Sequence, residues 1–205
     1  INFILETAQK YLVKPPKRED ILSIFAGLRP LAANPENPEA TKEISRRHKI
    51  ILSPSGLLTI TGGKWTTYRI MAEETIDKAI RAGILGKKKC ITSGLKLGSS
   101  GSGNKTSHLY VYGDQSAEIE KIINENPELG NRIDSRLPYT RAEIIWICRN
   151  EMPVKLEDVL ARRTRSLFLD ARASLEIAPI VAGIMAHEMG YDNKWQEEQI
   201  IEYNE

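Results

Sequence analysis

Cysteine is scarce in this chain of 205 residues: Cys90 and Cys148 are the only two, and neither has a histidine or a second cysteine at metal-ligand spacing. That argues against a disulfide framework or a structural zinc site and for a reducing compartment. Long apolar runs are missing as well. The best stretches, Ile144 to Cys148 and Ile177 to Met185, are short and interrupted, below the roughly 18 residues a spanning helix needs, so any membrane contact is expected to be peripheral. An excess of one charge is also absent: 29 basic against 27 acidic residues leave +2, too little for the broad basic field of a nucleic-acid binder. The chain opens without methionine, on Ile1-Asn2-Phe3-Ile4-Leu5, an apolar pattern that reads as mid-fold and not as a leader. What is present is ordinary globular composition, 41% hydrophobic and 27% charged, enough for one domain or two small ones.

The sharpest change of composition runs from Gly86 to Ser107, where Lys87-Lys88-Lys89 precedes Ser99-Ser100-Gly101-Ser102-Gly103-Asn104. Such a stretch has little to bury and reads as a flexible linker over 86–107, dividing a first part, 1–85, from a second, 108–205; a surface loop inside one domain is the alternative. Ahead of it the signals are mixed. Ile1 to Leu12 has helical spacing and stops before Pro15-Pro16. Ile21–Phe25, Lys49–Leu52 and Leu57–Ile60 are runs of strand length, with Pro54-Ser55-Gly56 as a hairpin turn between the last two. Thr66 to Ala82 carries the stripe Ala72, Ile76, Ala79, Ile80 and ends at Gly83, an amphipathic helix entered directly from a strand. Beyond the linker the periodic segments are helical: Ser116–Asn124, a helix opened by the capping box Thr140-Arg141-Ala142-Glu143, then Asp158–Arg163, Ser174–Glu188 and Lys194–Tyr203, with Gly190 as a stop and Asp192 or Asn193 as an N-cap. The fold class is α+β, short strands and a long helix followed by an all-α bundle.

Three constellations carry chemistry. In Ala26-Gly27-Leu28-Arg29-Pro30-Leu31 a guanidinium leaves the chain after a strand and is fixed by the following proline, so Arg29 is placed to grip a hydroxyl, carbonyl or phosphate oxygen; taken alone, the pattern also describes an ion-paired surface arginine. In Ile44-Ser45-Arg46-Arg47-His48-Lys49 strand alternation puts Arg46 and His48 on one face, able to hold an anion, and Arg47 and Lys49 on the other; a charged edge strand fits the same letters. The third, Leu57 through Thr61 followed by Gly62-Gly63-Lys64-Trp65-Thr66, reads as strand, glycine pair and helix start. Paired glycines admit close approach, and free amides at a helix N-terminus favour negative charge. The spacing fits neither a Walker loop nor a Gly-x-Gly-x-x-Gly fingerprint. It suits a flavin, whose reduced ring carries negative charge on one edge, with Lys64 nearby; a tight turn of purely structural purpose is the alternative. His108 and His187 stand isolated, Arg162-Arg163-Thr164-Arg165 reads as a solvated or ion-paired run, and Tyr110 and Tyr112 read as packing residues.

In this order and spacing, Phe25 to Leu31, Ile44 to His48 and Gly56 to Arg69 continuing into Met71-Ala72-Glu73 resemble the FAD-dependent, quinone-linked glycerol-3-phosphate dehydrogenases. Leu137-Pro138-Tyr139, Ala142-Glu143 and Arg162 to Arg165 resemble that family's C-terminal helical domain. The resemblance implies oxidation of sn-glycerol 3-phosphate to dihydroxyacetone phosphate, with hydride passing to FAD and electrons to a quinone. It implies that Arg29 sits against the glycerol hydroxyls as the catalytic and substrate-binding arginine and that Arg46 clamps the phosphate. Gly62, Gly63, Lys64, Trp65 and Thr66 would then bind the flavin pyrimidine edge, and no metal is implied. It also implies a cytoplasmic enzyme peripheral to the inner membrane, with a homo-oligomer open. His48 lies on the phosphate side and is not read as a base. The glycine fingerprint that holds the ADP half of FAD is not in these residues, nor is the family's active-site histidine, so the chain alone is expected to be colourless and inactive. Two other readings stand: a helical interaction module over Asn104 to Glu205, and a flavin oxidase of the glycine-oxidase type, which binds a carboxylate and should lack the Ser-Arg-x-His motif.

Overall fold

A computed structural model describes residues 1–28, 47–95 and 107–205. Contacts divide the chain into two units, one of Ile1–Ala26 with Ser99–Glu205 and one of Gly27–Gly98.

The smaller unit is a hairpin and a helix. Strands β1 (His48–Leu52) and β2 (Leu58–Gly62) pair antiparallel with Ile50 opposite Ile60 and His48 opposite Gly62. Between them the turn closes through Ser53 N to the Leu57 carbonyl at 2.9 Å and Gly56 N to the Ser53 carbonyl at 3.0 Å, with Gly56 at φ +86°. Helix α2 (Tyr68–Arg81) follows a single 3-10 turn, Trp65–Thr67. It ends in a Schellman motif: Gly83, at φ +74°, donates to the Ile80 carbonyl and Ile84 to that of Ala79, each at 3.0 Å, satisfying carbonyls the helix end would leave open. Ala79 is the one buried residue of α2; Ile51, Leu57, Ile70, Ile76 and Ile91 are all exposed.

The larger unit holds the core. Helices α3 (Ser116–Glu125), α4 (Arg141–Asn150), α6 (Ala171–Met189) and α7 (Asn193–Asn204) pack together, with a one-turn helix α5 (Ser166–Leu169) before α6. On α6, Ala173, Ile177, Ala178, Val181, Ala182 and Met185 recur at three- and four-residue spacing and are buried, the stripe an amphipathic helix turns inward. They meet Ile144, Trp146 and Ile147 of α4 and Ile119 of α3. Each such large apolar side chain contributes about 1.5–3 kcal/mol on burial, which makes this unit the stable half. The ends are set by the predicted caps. Thr140 Oγ1 accepts from Glu143 N while Glu143 accepts from Thr140 N, Gly190 at φ +74° stops α6, and Asp192 caps α7 through Trp195 N at 2.8 Å.

Helix α1 (Asn2–Tyr11) forms where expected, but Phe3, Ile4 and Leu12 are exposed. Ile21–Phe25, predicted as a strand, has no strand partner among the described residues; its bonds go to the α5–α6 junction instead. Asp158–Arg163 is helical as predicted but wound as a π-helix. The buried Thr164 explains it: its hydroxyl and its amide both bond the Val159 carbonyl, at 2.8 and 2.9 Å, which stretches the turn to a five-residue reach.

Candidate functional site

At the end of β2 the chain passes through Gly62 and Gly63 at φ +74° and +83°, a region that side chains with a Cβ avoid. At Gly63 space closes too: a Cβ would stand 2.6 Å from Met71 Sδ and 3.1 Å from His48 Cβ. The second glycine is therefore demanded by the close approach of α2 and β1. Lys64 returns to extended backbone at φ −134°, and the 3-10 turn is closed by Thr67, whose amide and hydroxyl both donate to the Lys64 carbonyl at 3.0 Å. The first amides of such a turn have no intrahelical acceptor and present the positive end of the helix dipole. Lys64, Trp65 and Thr66 are exposed around them, and Trp65 stacks on Tyr68 with ring centroids 5.5 Å apart. An electron-rich, planar edge fits that chemistry: amides and an ammonium on one side, an apolar ring beside them.

The helix behind the turn is tied to the hairpin by polar contacts. His48 Nε2 lies 2.8 Å from Glu74 Oε2, and Lys78 Nζ donates to the Ile50 carbonyl. One turn into α2, Arg69 bonds Glu73 at 2.6 Å; that bond raises the arginine above its ordinary pKa and lowers the glutamate below its own. His48 is thus engaged with α2. A groove of about 470 Å³ runs between α2 and residues 85–92, floored by Ile76, Ile80, Leu85 and Ile91; none of Gly62 to Thr66 lines it. Arg29 and Arg46 lie outside the described residues.

The larger unit contains a polar centre that sequence reasoning missed. His108, which the sequence left isolated, places Nε2 at 2.8 Å from Glu143 Oε2. That carboxylate is fully buried and also accepts from Thr140 N at 2.8 Å, Thr140 Oγ1 at 3.0 Å and Tyr112 OH at 3.0 Å. Burial first, then the neighbouring Glu143, pushes the Tyr112 hydroxyl well above its ordinary pKa. The capping-box spelling was the available signal, but of these bonds it predicts only the one from Thr140 N, and neither distant partner. Tyr112 packs as expected, edge-on to Trp146 at 5.3 Å, whereas Tyr110 is exposed. Arg162 pairs with Glu157 and Asp158 at 2.9 and 3.1 Å, and Arg163 donates to the Glu151 carbonyl at 2.9 Å, so these two arginines brace their own unit. His187 is exposed beside Glu188. No helix among the described residues is long and apolar enough to cross a membrane.

Residues 58–196 match the family described as the C-terminal domain of alpha-glycerophosphate oxidase. Similar curated proteins include a probable mitochondrial glycerol-3-phosphate dehydrogenase of Caenorhabditis elegans and the mitochondrial glycerol-3-phosphate dehydrogenases of Bos taurus and Homo sapiens. Each is 34% identical over 98% of this chain. The chain spans 31%, 30% and 30% of their respective lengths.

Proposed function

The chain belongs to the family of the C-terminal domain of alpha-glycerophosphate oxidase, and from that premise we propose that it is the C-terminal part of an FAD-dependent, quinone-linked glycerol-3-phosphate dehydrogenase. FAD supplies the hydride acceptor when bound. The residues here hold and polarise. In this reading Arg29 lies against the glycerol hydroxyls and stabilises negative charge growing on the C2 oxygen. Arg46 grips the phosphate through charge-assisted hydrogen bonds, for which a forked guanidinium is better suited than an ammonium. Gly62 and Gly63 let the flavin edge approach the backbone, and the amides opening the Trp65–Thr67 turn, with Lys64, hold negative charge there.

One observation carries the reading. Two successive left-handed glycines deliver the chain from β2 into a helix start whose Lys64, Trp65 and Thr66 are exposed, in a chain that aligns over 98% of its length with glycerol-3-phosphate dehydrogenases. The sparse burial of the hairpin unit gives further support, because two strands and one helix seldom stand alone in water and a flavin domain would supply the rest of the sheet. On this reading residues 1–85 belong to the oxidoreductase domain, 86–107 link, and 108–205 form the helical domain; the enzyme works peripherally at a quinone-bearing inner membrane. The interaction-module alternative has no use for the glycine turn. The glycine-oxidase alternative has no use for the second arginine motif.

The test is made on the full-length enzyme that carries this chain. It should hold FAD, and glycerol 3-phosphate added without oxygen should bleach the flavin absorbance, while glycerol should not; purified residues 1–205 should be colourless. Bleaching by amino acids, or none by glycerol 3-phosphate, sinks the assignment.

A further inference from the structure

The end of α2 and the segment after it concentrate positive charge. From Lys78 to Leu95 there are five cations, Lys78, Arg81, Lys87, Lys88 and Lys89, and not one Asp or Glu, in a chain whose net charge is only +2. Lys78 turns back to the hairpin, donating to the Ile50 carbonyl. Every residue from Arg81 to Lys89 is exposed, and no side-chain hydrogen bond or ion pair engages Arg81, Lys87, Lys88 or Lys89 among the described residues.

The same stretch carries apolar side chains that face water. Ile84 is 50% exposed and Leu85 45% on one side of the lysines, Ile91 76% on the other. Lys88 and Lys89 also line the groove floored by Ile76, Ile80, Leu85 and Ile91. Of the two acids on that groove, Glu73 is engaged by Arg69, leaving Asp77. The loop is held at both ends against α2: Ile84 N donates to the Ala79 carbonyl at 3.0 Å, and Arg69 Nη1 donates to Thr92 Oγ1 at 3.2 Å.

The two properties together select the occupant. Lysine is almost never fully buried unless paired, so three unpaired ammonium groups do not suit ordinary apolar packing by another part of the protein. Exposed Ile and Leu on both sides of them are nonetheless unfavourable in water. An anionic bilayer satisfies both, with phosphates at one level and hydrocarbon beneath; lysine keeps its ammonium among the headgroups while its stem and its apolar neighbours lie lower. Nucleic acid offers the anions without the apolar layer, and no aromatic residue stands between Lys78 and Leu95 for a base to stack on.

We propose that Arg81 and residues 84–91 dock on the surface of an anionic bilayer, with Lys87, Lys88 and Lys89 meeting lipid phosphates and Ile84, Leu85 and Ile91 entering the interface. This deepens the peripheral placement proposed above by naming the surface that makes the contact. It rests on that placement and not on the flavin chemistry.

The test sediments the full-length enzyme with phosphatidylcholine vesicles, with and without about one-third phosphatidylglycerol. The enzyme should prefer the anionic vesicles, and that preference should fade as salt rises. Replacing all three lysines, Lys87→Gln with Lys88→Gln and Lys89→Gln, should lower partition onto anionic vesicles about hundredfold, each charge contributing about a factor of five, and leave partition onto pure phosphatidylcholine unchanged. Ile84→Ser with Ile91→Ser should lower partition onto both kinds of vesicle. Bleaching of the flavin by glycerol 3-phosphate without vesicles should persist in both variants, which separates loss of docking from loss of fold; the lysine set alters exposed side chains only and carries the test should the serine pair fold poorly. Wild-type partition by the lysine variant overturns the inference, because another surface then makes the contact. Equal binding of the wild-type enzyme to both kinds of vesicle overturns it as well, and leaves the lysines to an acidic protein partner. An enzyme that docks as described but is not bleached by glycerol 3-phosphate sinks the functional assignment and leaves the docking surface standing.

Discussion

Replacing Gly63 by alanine separates the conformational from the steric demand at the turn. The φ of +83° costs a residue with a Cβ about 1–2 kcal/mol. The new methyl would lie 2.6 and 2.7 Å from Met71 Sδ and Cε, more than about 1 Å inside normal contact. Methionine is flexible enough to swing aside for roughly 1 kcal/mol or less, whereas His48 Cβ, at 3.1 Å, belongs to the paired strand and yields less. The sum is about 2–3 kcal/mol, of which Met71→Ala in the same molecule should return only the steric part. Because the hairpin unit buries so little, the assay is amide hydrogen exchange across His48–Leu52 and Leu58–Gly62, read as opening free energy. A Gly63→Ala chain whose hairpin amides keep their protection within about 0.5 kcal/mol refutes the argument, as does complete rescue by Met71→Ala.

Glu143→Ala should destabilise the helical unit by about 3–5 kcal/mol in urea denaturation, because it strands the buried Thr140 amide and the Tyr112 hydroxyl and removes the carboxylate half of the capping box; a cost below about 1 kcal/mol would mean water replaces the carboxylate. Cys148, pushed up to about 11 mainly by burial, should alkylate at pH 8 far more slowly than free glutathione. Its raised folded value means that the contribution to stability is full below the unfolded pKa of about 8.5 and lost as pH climbs through about 11. A Cys148→Ser chain should lack that part of the alkaline decline.

The helical half was legible because its signals are local. Thr140 and Glu143 spell a capping box, Gly190 and Asp192 punctuate α6 and α7, and the α6 stripe repeats at helical period. The Pro54-Ser55-Gly56 hairpin was legible for the same reason. What failed was non-local. Ile21–Phe25 has strand composition, yet its Ser23 hydroxyl donates to the Leu167 carbonyl 144 residues away, and no periodicity encodes that. His108 looked solitary because its partner lies 35 positions on. The π-helical winding of Asp158–Arg163 depends on where the Thr164 hydroxyl is buried, which composition does not reveal. At the candidate site the glycine pair was read as a place of close approach to the backbone, while the positive φ of both glycines and the contacts of Gly63 with Met71 and His48 needed the folded hairpin and helix to appear.

Under the proposed function, this chain contributes a phosphate-gripping arginine to a polyol site beside a flavin. The direct measurement is the specificity constant of the full-length enzyme for glycerol 3-phosphate and for glycerol, with Arg46→Ala as the comparison. Loss of a desolvated phosphate clamp should cost about 2–4 kcal/mol in kcat/KM for the phosphorylated substrate and leave the weak reaction with glycerol unchanged. Equal kcat/KM values for glycerol 3-phosphate in the two enzymes would remove Arg46 from that role.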